Sequence, residues 1–192
     1  MSDQTKPKKK VAWGISGAGD RIDEYVAVMK EMGKLYADKV EICPFVSKAG
    51  ELVLKFYKLE AEVKAAFPKY VVEVNANTPF LAAWMQMHKY EFLLIAPASS
   101  NTVAKIAVGI GDTMLTNAVS MSLKAFAPVY IAPVDYEEKT LVTKLPNGKD
   151  MKLRVRKEDA DNVRKLQTMD GMHVLPGPEQ IRNVFAELFG KP

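Results

Sequence analysis

Phe92-Leu93-Leu94-Ile95-Ala96-Pro97-Ala98-Ser99-Ser100-Asn101-Thr102-Val103-Ala104-Lys105-Ile106-Ala107-Val108 is the stretch on which the fold turns. Five apolar residues run without alternation, as in a strand covered on both faces, and Pro97 ends the run. A turn carrying the hydroxyls of Ser99, Ser100 and Thr102 and the amide of Asn101 follows, and residues 98–108 continue as a helix. Buried strand, polar turn and helix make one unit of a parallel α/β sheet.

The same unit recurs on both sides. Residues 11–15 form an apolar strand that runs into Gly14-Ile15-Ser16-Gly17-Ala18-Gly19. Ile22, Tyr25, Val26, Met29 and Met32 then follow at helical spacing, with Gly33 as the stop. Residues 40–46 are a second strand ending in Ser47-Lys48, and Leu52, Phe56, Leu59 and Val63 continue as a helix. A short third strand covers 70–74. Thr78-Pro79 opens a helix with Leu81, Trp84, Met85 and His88. A helix over 113–125 leads to a fifth strand, 129–132, ended by Pro133. Leu141, Thr143 and Leu145 alternate with polar residues, as do Met151, Leu153 and Val155. Pro146-Asn147-Gly148 between them predicts a β-hairpin inserted near 139–156. A helix over 157–169, a short edge strand over 172–175 and a helix after Pro178, with Ile181, Val184, Phe185 and Leu188 on one face, complete the chain. The expected fold is α/β, a doubly wound, mostly parallel sandwich. It forms a single domain over 11–192 behind a disordered basic arm, 1–10.

Composition narrows the function. Of 192 residues, 48% are apolar and 26% charged, enough apolar content for a sizeable core and too much for a disordered chain. No apolar run approaches a membrane span, and the polar, Lys-rich N-terminus predicts no secretory signal. Cys43 is the only cysteine, which excludes an internal disulfide framework, a Cys-ligated iron–sulfur cluster and a Cys-rich zinc site. A reducing, cytoplasmic setting is expected. The net charge of +4 is concentrated in Lys6, Lys8, Lys9 and Lys10 with no aromatic residue between them, so neither nucleic acid nor a membrane is expected as partner. His88, near a helix end, reads as an exposed or capping histidine and His173 lies in a short apolar stretch, and no Gly-x-Ser-x-Gly elbow exists, so no metal and no nucleophilic hydrolase chemistry is expected.

Ligands of open parallel sheets gather beyond the carboxyl ends of the strands. The first such end, Gly14 to Gly19, is spaced G-x-x-G-x-G, unlike the dinucleotide fingerprint or a P-loop; it suits an anion or a tight turn. The second offers Ser47 and Lys48 where a nicotinamide fold places an acid. These suit a phosphate, or Ser47 serves only as a helix cap. The third, Pro97 to Thr102, carries more hydroxyls than capping requires and can grip a phosphate or the edge of a heterocycle.

The run from Pro97-Ala98-Ser99-Ser100-Asn101-Thr102 to Gly109-Ile110-Gly111-Asp112-Thr113-Met114-Leu115-Thr116 resembles the P-A-S-A-N-T-x-A-K-x-A-x-G-I-A-D-x-L-L-T signature. That signature marks the homo-oligomeric flavin-containing cysteine decarboxylase (HFCD) family of flavoproteins. Gly14-Ile15-Ser16-Gly17-Ala18 resembles its first loop, and Ser47-Lys48-x-Gly50 its phosphate-contacting turn. The resemblance covers about residues 10–135. It implies a flavodoxin-like (Rossmann-like) three-layer fold, FMN as cofactor, and assembly into trimers or multiples of trimers with the flavin near a subunit boundary. On that basis Gly14, Ser16, Gly17, Ala18, Ser47, Lys48, Ser99, Asn101 and Thr102 hold the phosphate and ribityl chain, and Pro97 and Ala98 lie near the ring.

Departures from the signature select among the family's chemistries. The decarboxylases carry a catalytic His before strand four, and Thr78 stands in its place; threonine cannot act as a base near neutral pH. Their P-x-M-N-x-x-M-W segment is replaced by Pro133-Val134-Asp135-Tyr136-Glu137-Glu138-Lys139-Thr140, and the P-C-S-x-x-T loop of the prenyltransferases is not matched. What remains resembles the archaeoflavoprotein and dihydromethanopterin reductase branch, as do Asp161-Asn162-Val163-Arg164-Lys165-Leu166 and Met169-Asp170-Gly171. The implied function is an FMN oxidoreductase with no side-chain acid or base. Electrons would come from a reduced ferredoxin or a flavin or nicotinamide reductase and pass to a pterin or another small acceptor. The alternatives are a decarboxylase or flavin-modifying transferase of the same fold, and a non-catalytic FMN carrier. One face of the 113–125 helix (Met114, Leu115, Ala118, Val119, Met121, Ser122, Ala125) is expected to pack in part against a neighbouring subunit.

Overall fold

The computed structural model of the chain describes residues 7–191. In chain order the elements are β1 (Lys9–Ile15), α1 (Ile22–Leu35), β2 (Val40–Val46), α2 (Lys48–Phe56), α3 (Glu60–Ala66), β3 (Val71–Val72), α4 (Leu81–Gln86) and β4 (Leu93–Ala98). They continue with α5 (Ser100–Ala107), α6 (Met114–Lys124), β5 (Val129–Pro133), β6 (Thr140–Lys144), β7 (Asp150–Arg154), α7 (Lys157–Gln167), β8 (Met172–Val174) and α8 (Glu179–Phe189).

Six strands form one sheet in the order β3-β2-β1-β4-β5-β8, every neighbouring pair parallel. The chain winds outward from β1 to β3, returns beside β1 as β4, and winds the other way. The crevice of such a sheet therefore opens at the carboxyl ends of β1 and β4. Alternation along the strands divides two cores. Val11, Trp13 and Ile15 face α1 and α8, while Ala12, Leu93 and Ile95 face α4, α5, α6 and α7. The buried Trp13 indole donates to the Ala96 carbonyl at 2.7 Å, so the core leaves it no unpaired N–H. The flavodoxin-like three-layer sandwich is as expected. So is the hairpin: β6 and β7 pair antiparallel as a separate two-stranded sheet, tied to the body where the Tyr57 hydroxyl donates to the Lys144 carbonyl at 2.8 Å.

Several boundaries differ from the sequence reading, each for a local reason. Lys9 and Lys10 belong to β1, paired with Val40 and Glu41, so only the front of the expected arm is left; residues 1–6 lie outside the described residues. Gly33 does not stop α1. Its missing Cβ makes room for the Phe67 ring, which a Cβ would meet at 2.9 Å. The single helix expected over Leu52 to Val63 is two helices broken at Lys58, which has φ 59°. Leu52 and Phe56 lie on the exposed face of α2, and Leu54 and Val63 supply the buried contacts. Pro133 is the last residue of β5, as expected, whereas Pro97 sits inside β4 rather than ending it. The register shifts between Ile95 and Ala98, where proline's missing N–H is not needed. On α6, Met114, Leu115, Ala118, Val119 and Ser122 are buried within the chain, so the expected subunit contact cannot use them. Among the described residues no helix is long and apolar enough to cross a membrane.

Candidate functional site

A cleft of about 690 Å³ opens at the carboxyl ends of β1 to β4, within the usual range for a cofactor site. Gly17, Ser47, Lys48, Ser99, Asn101 and Thr102 line it, so three turns distant in sequence meet in one wall. Three helices start there. Ser47 caps α2, its Oγ accepting from Gly50 N at 2.9 Å; Ser99 caps α5, its Oγ accepting from Thr102 N at 3.3 Å. Thr113 caps α6 in a reciprocal capping box with Thr116. Amino ends of helices carry partial positive charge and unpaired N–H groups, so the cleft favours an anion.

The first loop and the second turn touch so closely that glycine is required on both. A Cβ on Gly17 would lie 2.6 Å from Ala49 Cβ, and one on Gly50 would run into the Ile15 carbonyl. Ser16 cross-links the first and third loops from behind the cleft. Its Oγ donates to the Pro97 carbonyl at 2.9 Å and accepts from Ser99 N at 2.8 Å. That hydroxyl's one proton is committed to the frame. Gly14, Ala18, Pro97 and Ala98 are likewise buried and are not among the residues lining the cleft; the space a Gly14 side chain would fill is taken by Leu115.

The cleft also contains residues that the strand-end reading passed over: Glu73, Asn75 and Ala76 after β3, and Asp112, Thr113 and Leu115 before and within α6. Glu73 is buried, with Oε1 accepting from Met114 N at 2.7 Å and Oε2 from Lys48 N at 3.1 Å, so one carboxylate joins the starts of α6 and α2. Asn117 fastens the β3–α4 loop to α6 by donating to the Ala76 carbonyl and to Asn77 Oδ1. Asp112 is ion-paired with Lys105 at 2.8 Å. Beyond β5, burial pushes the Asp135 carboxyl up from its ordinary value, against a hydrogen bond with Ser100 that pulls it down. The strand-end rule applied to β3 would have found Glu73, a single acid in an apolar run. Asp112 and Thr113 lie inside the long signature itself. Thr78 is not among the lining residues; its carbonyl accepts from Val74 N and Asn75 N in a tight turn. No group of acidic, His and Cys side chains suited to a metal occurs among the described residues.

A parallel doubly wound sheet whose switch-point cleft gathers three helix starts, a lysine and several hydroxyls defines a protein built for a phosphorylated cofactor. The family model described as Flavoprotein matches residues 1–186, and the chain belongs to that family. An uncharacterised protein of Methanocaldococcus jannaschii is 45% identical over 91% of this chain and 93% of its own length. A dihydromethanopterin reductase (acceptor) of Methanosarcina mazei is 37% identical over 75% of this chain; the match spans 62% of that relative. Among solved structures, Burkholderia xenovorans DmrB in complex with FMN, described as a cubic protein cage for redox transfer, superposes with a TM-score of 0.79 at 29% identity. That match covers 95% of this chain and 96% of DmrB.

Proposed function

We propose that the chain is an FMN-dependent oxidoreductase of the dihydromethanopterin reductase type. The observation that carries the reading is the convergence of Lys48, the hydroxyls of Ser47, Ser99 and Thr102, the Asn101 amide and three helix starts on one cleft. This donor set fits a ligand with one phosphate, a polyhydroxyl chain and a heteroaromatic ring. The names of the reductase relative and of DmrB support FMN as that ligand and redox transfer as its use. FMN supplies the acceptance and release of electrons or hydride. The chain's residues bind and orient it: Lys48 and the start of α5 hold the phosphate, while Ser47, Asn101 and Thr102 hold hydroxyls. No lining side chain is needed as acid or base.

The acceptor is a pterin or another small oxidant and the donor a reduced ferredoxin or a reductase. Decarboxylation is disfavoured, because Thr78 offers no imidazole and does not itself line the cleft, although Asn75 and Ala76 of its turn do. The cubic cage of DmrB supports homo-oligomeric assembly. With the face of α6 spent inside the chain, the contact would use the apolar groove of Ile106, Ile110, Leu123 and Met169. The setting would be cytoplasmic, consistent with a single buried cysteine. The test is direct. Purified protein should be yellow, release FMN on denaturation, and be reoxidised after anaerobic reduction by a dihydropterin. A colourless protein that takes up no added FMN overturns the reading.

A further inference from the structure

Glu73 stands out among the lining residues because its carboxylate is held in place and forms no ion pair among the described residues, although Lys48 lines the same cleft. It is 8% exposed, and each carboxylate oxygen is pinned by a backbone N–H from a different helix, so the group cannot swing out of the cleft. No ion pair joins it to a lysine or arginine among the described residues. Asp112, the other lining acid, differs on each count: its side chain is 54% exposed and neutralised by Lys105. Ser47 takes the Gly50 N–H of α2 and Thr113 the Thr116 N–H of α6, while Glu73 takes the first N–H of both helices, from Lys48 and Met114.

Resting on the flavin reading of this cleft, we propose that Glu73 sets the reduction potential of the bound cofactor and holds it low. A reductant that delivers two electrons while one proton is taken up adds one unit of negative charge to the ligand. A fixed carboxylate in the same part-buried cleft opposes that added charge, more strongly than it would in water. The opposition holds for any placement of the ring within the cleft, since the sign of a Coulomb interaction does not depend on direction. The two helix starts hold the carboxylate in place. Removing it leaves their partial positive charge unopposed, which shifts the balance further toward the reduced cofactor. A low potential suits a protein that must pass its electrons on.

The experiment is a spectroelectrochemical titration of the FMN-loaded protein with dithionite, at saturating FMN, for wild type, Glu73→Gln, Glu73→Asp and Asp112→Asn. Glu73→Gln should raise the ratio of reduced to oxidised affinity at least tenfold, which for a two-electron couple is a midpoint about 30 mV higher. Glu73→Asp, which keeps the charge, and Asp112→Asn, which removes an already paired one, should each move it by less than half of that. If Glu73→Gln does not hold FMN, Glu73→Ala takes its place with the same expectation. An unchanged midpoint in the neutral variant overturns the proposal, as does an equal shift in Glu73→Asp, which would trace the effect to packing. A wild-type protein that takes up no FMN at all overturns the flavin reading first.

Discussion

Gly17 and Ala49 make the sharpest test of how the cleft is built. A methyl group on Gly17 would come 2.6 Å from Ala49 Cβ, where ordinary contact begins near 3.4 Å, so Gly17→Ala must push the first loop and the start of α2 apart by about 0.8 Å. Overpacking of this size costs about 1–3 kcal/mol. For a chain of this length that is a fall in Tm of about 2–12 °C. Both residues line the cleft, so FMN affinity should fall with it, by about tenfold or more. The structure also specifies the cure. Ala49→Gly removes the opposing methyl, leaving Ala49 C and Cα at 3.4 and 3.5 Å from the new side chain, ordinary distances. Alone, Ala49→Gly costs up to about 1 kcal/mol as a helical glycine. The double variant should recover most of the affinity, with a coupling energy of about 1–2 kcal/mol in the stability cycle. Thermal denaturation and quenching of FMN fluorescence measure both quantities. If Gly17→Ala melts and binds like wild type, or if Ala49→Gly adds to the damage, the close approach of the two turns is not what forms the site.

Other outcomes follow from single contacts. Ser16→Ala should cost about 1–3 kcal/mol by stranding Ser99 N, while the Pro97 carbonyl keeps its bond from the backbone N–H of residue 16, and should show in Tm even without flavin. Asn101→Ala should weaken FMN binding about tenfold in a fluorescence titration and leave the apoprotein's Tm within a degree or so, because the residue is exposed. The hydrogen bond from the Arg156 guanidinium holds the Asp159 carboxyl below the usual carboxylate range. Its stabilisation is therefore complete above the unfolded value of about 3.9 and is lost as pH falls through the lower folded value. Asp159→Asn should accordingly melt about 2–4 °C below wild type at pH 7, a gap that closes below about pH 4. Light scattering should give a mass several times 21.3 kDa, and a monomer that still holds FMN would show the site complete in one chain.

Period and punctuation made most of the sheet legible. β4 and β5 are continuous apolar runs, and the Pro146-Asn147-Gly148 turn fixes the hairpin between β6 and β7. Signals that depend on what lies opposite were misread. Gly33 looks like a stop because a helix disfavours glycine, yet it is there for Phe67 from another element. Leu52 and Phe56 keep helical spacing but lie on the face of α2 turned to solvent, and Leu54 is the residue α2 buries. The broad apolar face of α6 suggested a partner outside the chain, and α4 and the sheet absorb it. For the site, residue type at strand ends located Gly17, Ser47, Lys48, Ser99, Asn101 and Thr102. Glu73 escaped because its meaning lies in two backbone N–H groups 25 and 41 residues away.

The sequence posed a choice at Ser47 and Ser99 between helix cap and ligand contact, and the hydrogen-bond geometry removes the choice. A cap uses a hydroxyl as acceptor, and Ser47 Oγ does that for Gly50 N while its own proton stays available. Ser99 Oγ accepts from Thr102 N and shares one proton with Thr102 Oγ1 at 3.1 Å, so one proton of that pair is also left to donate. A phosphate or carbonyl needs donors, which is what a capping hydroxyl has left. Ser16 is the contrast: it gives its proton to Pro97 and its lone pair to Ser99 N, and so belongs to the frame. The same accounting places Glu73 apart. A carboxylate has only acceptors, so it can fix helix starts and oppose negative charge in the cleft but can hold no phosphate. The cleft thus has donors on its α5 side and a fixed acceptor between α2 and α6, a polarity that orients a ligand with an anionic tail and an N–H-bearing ring.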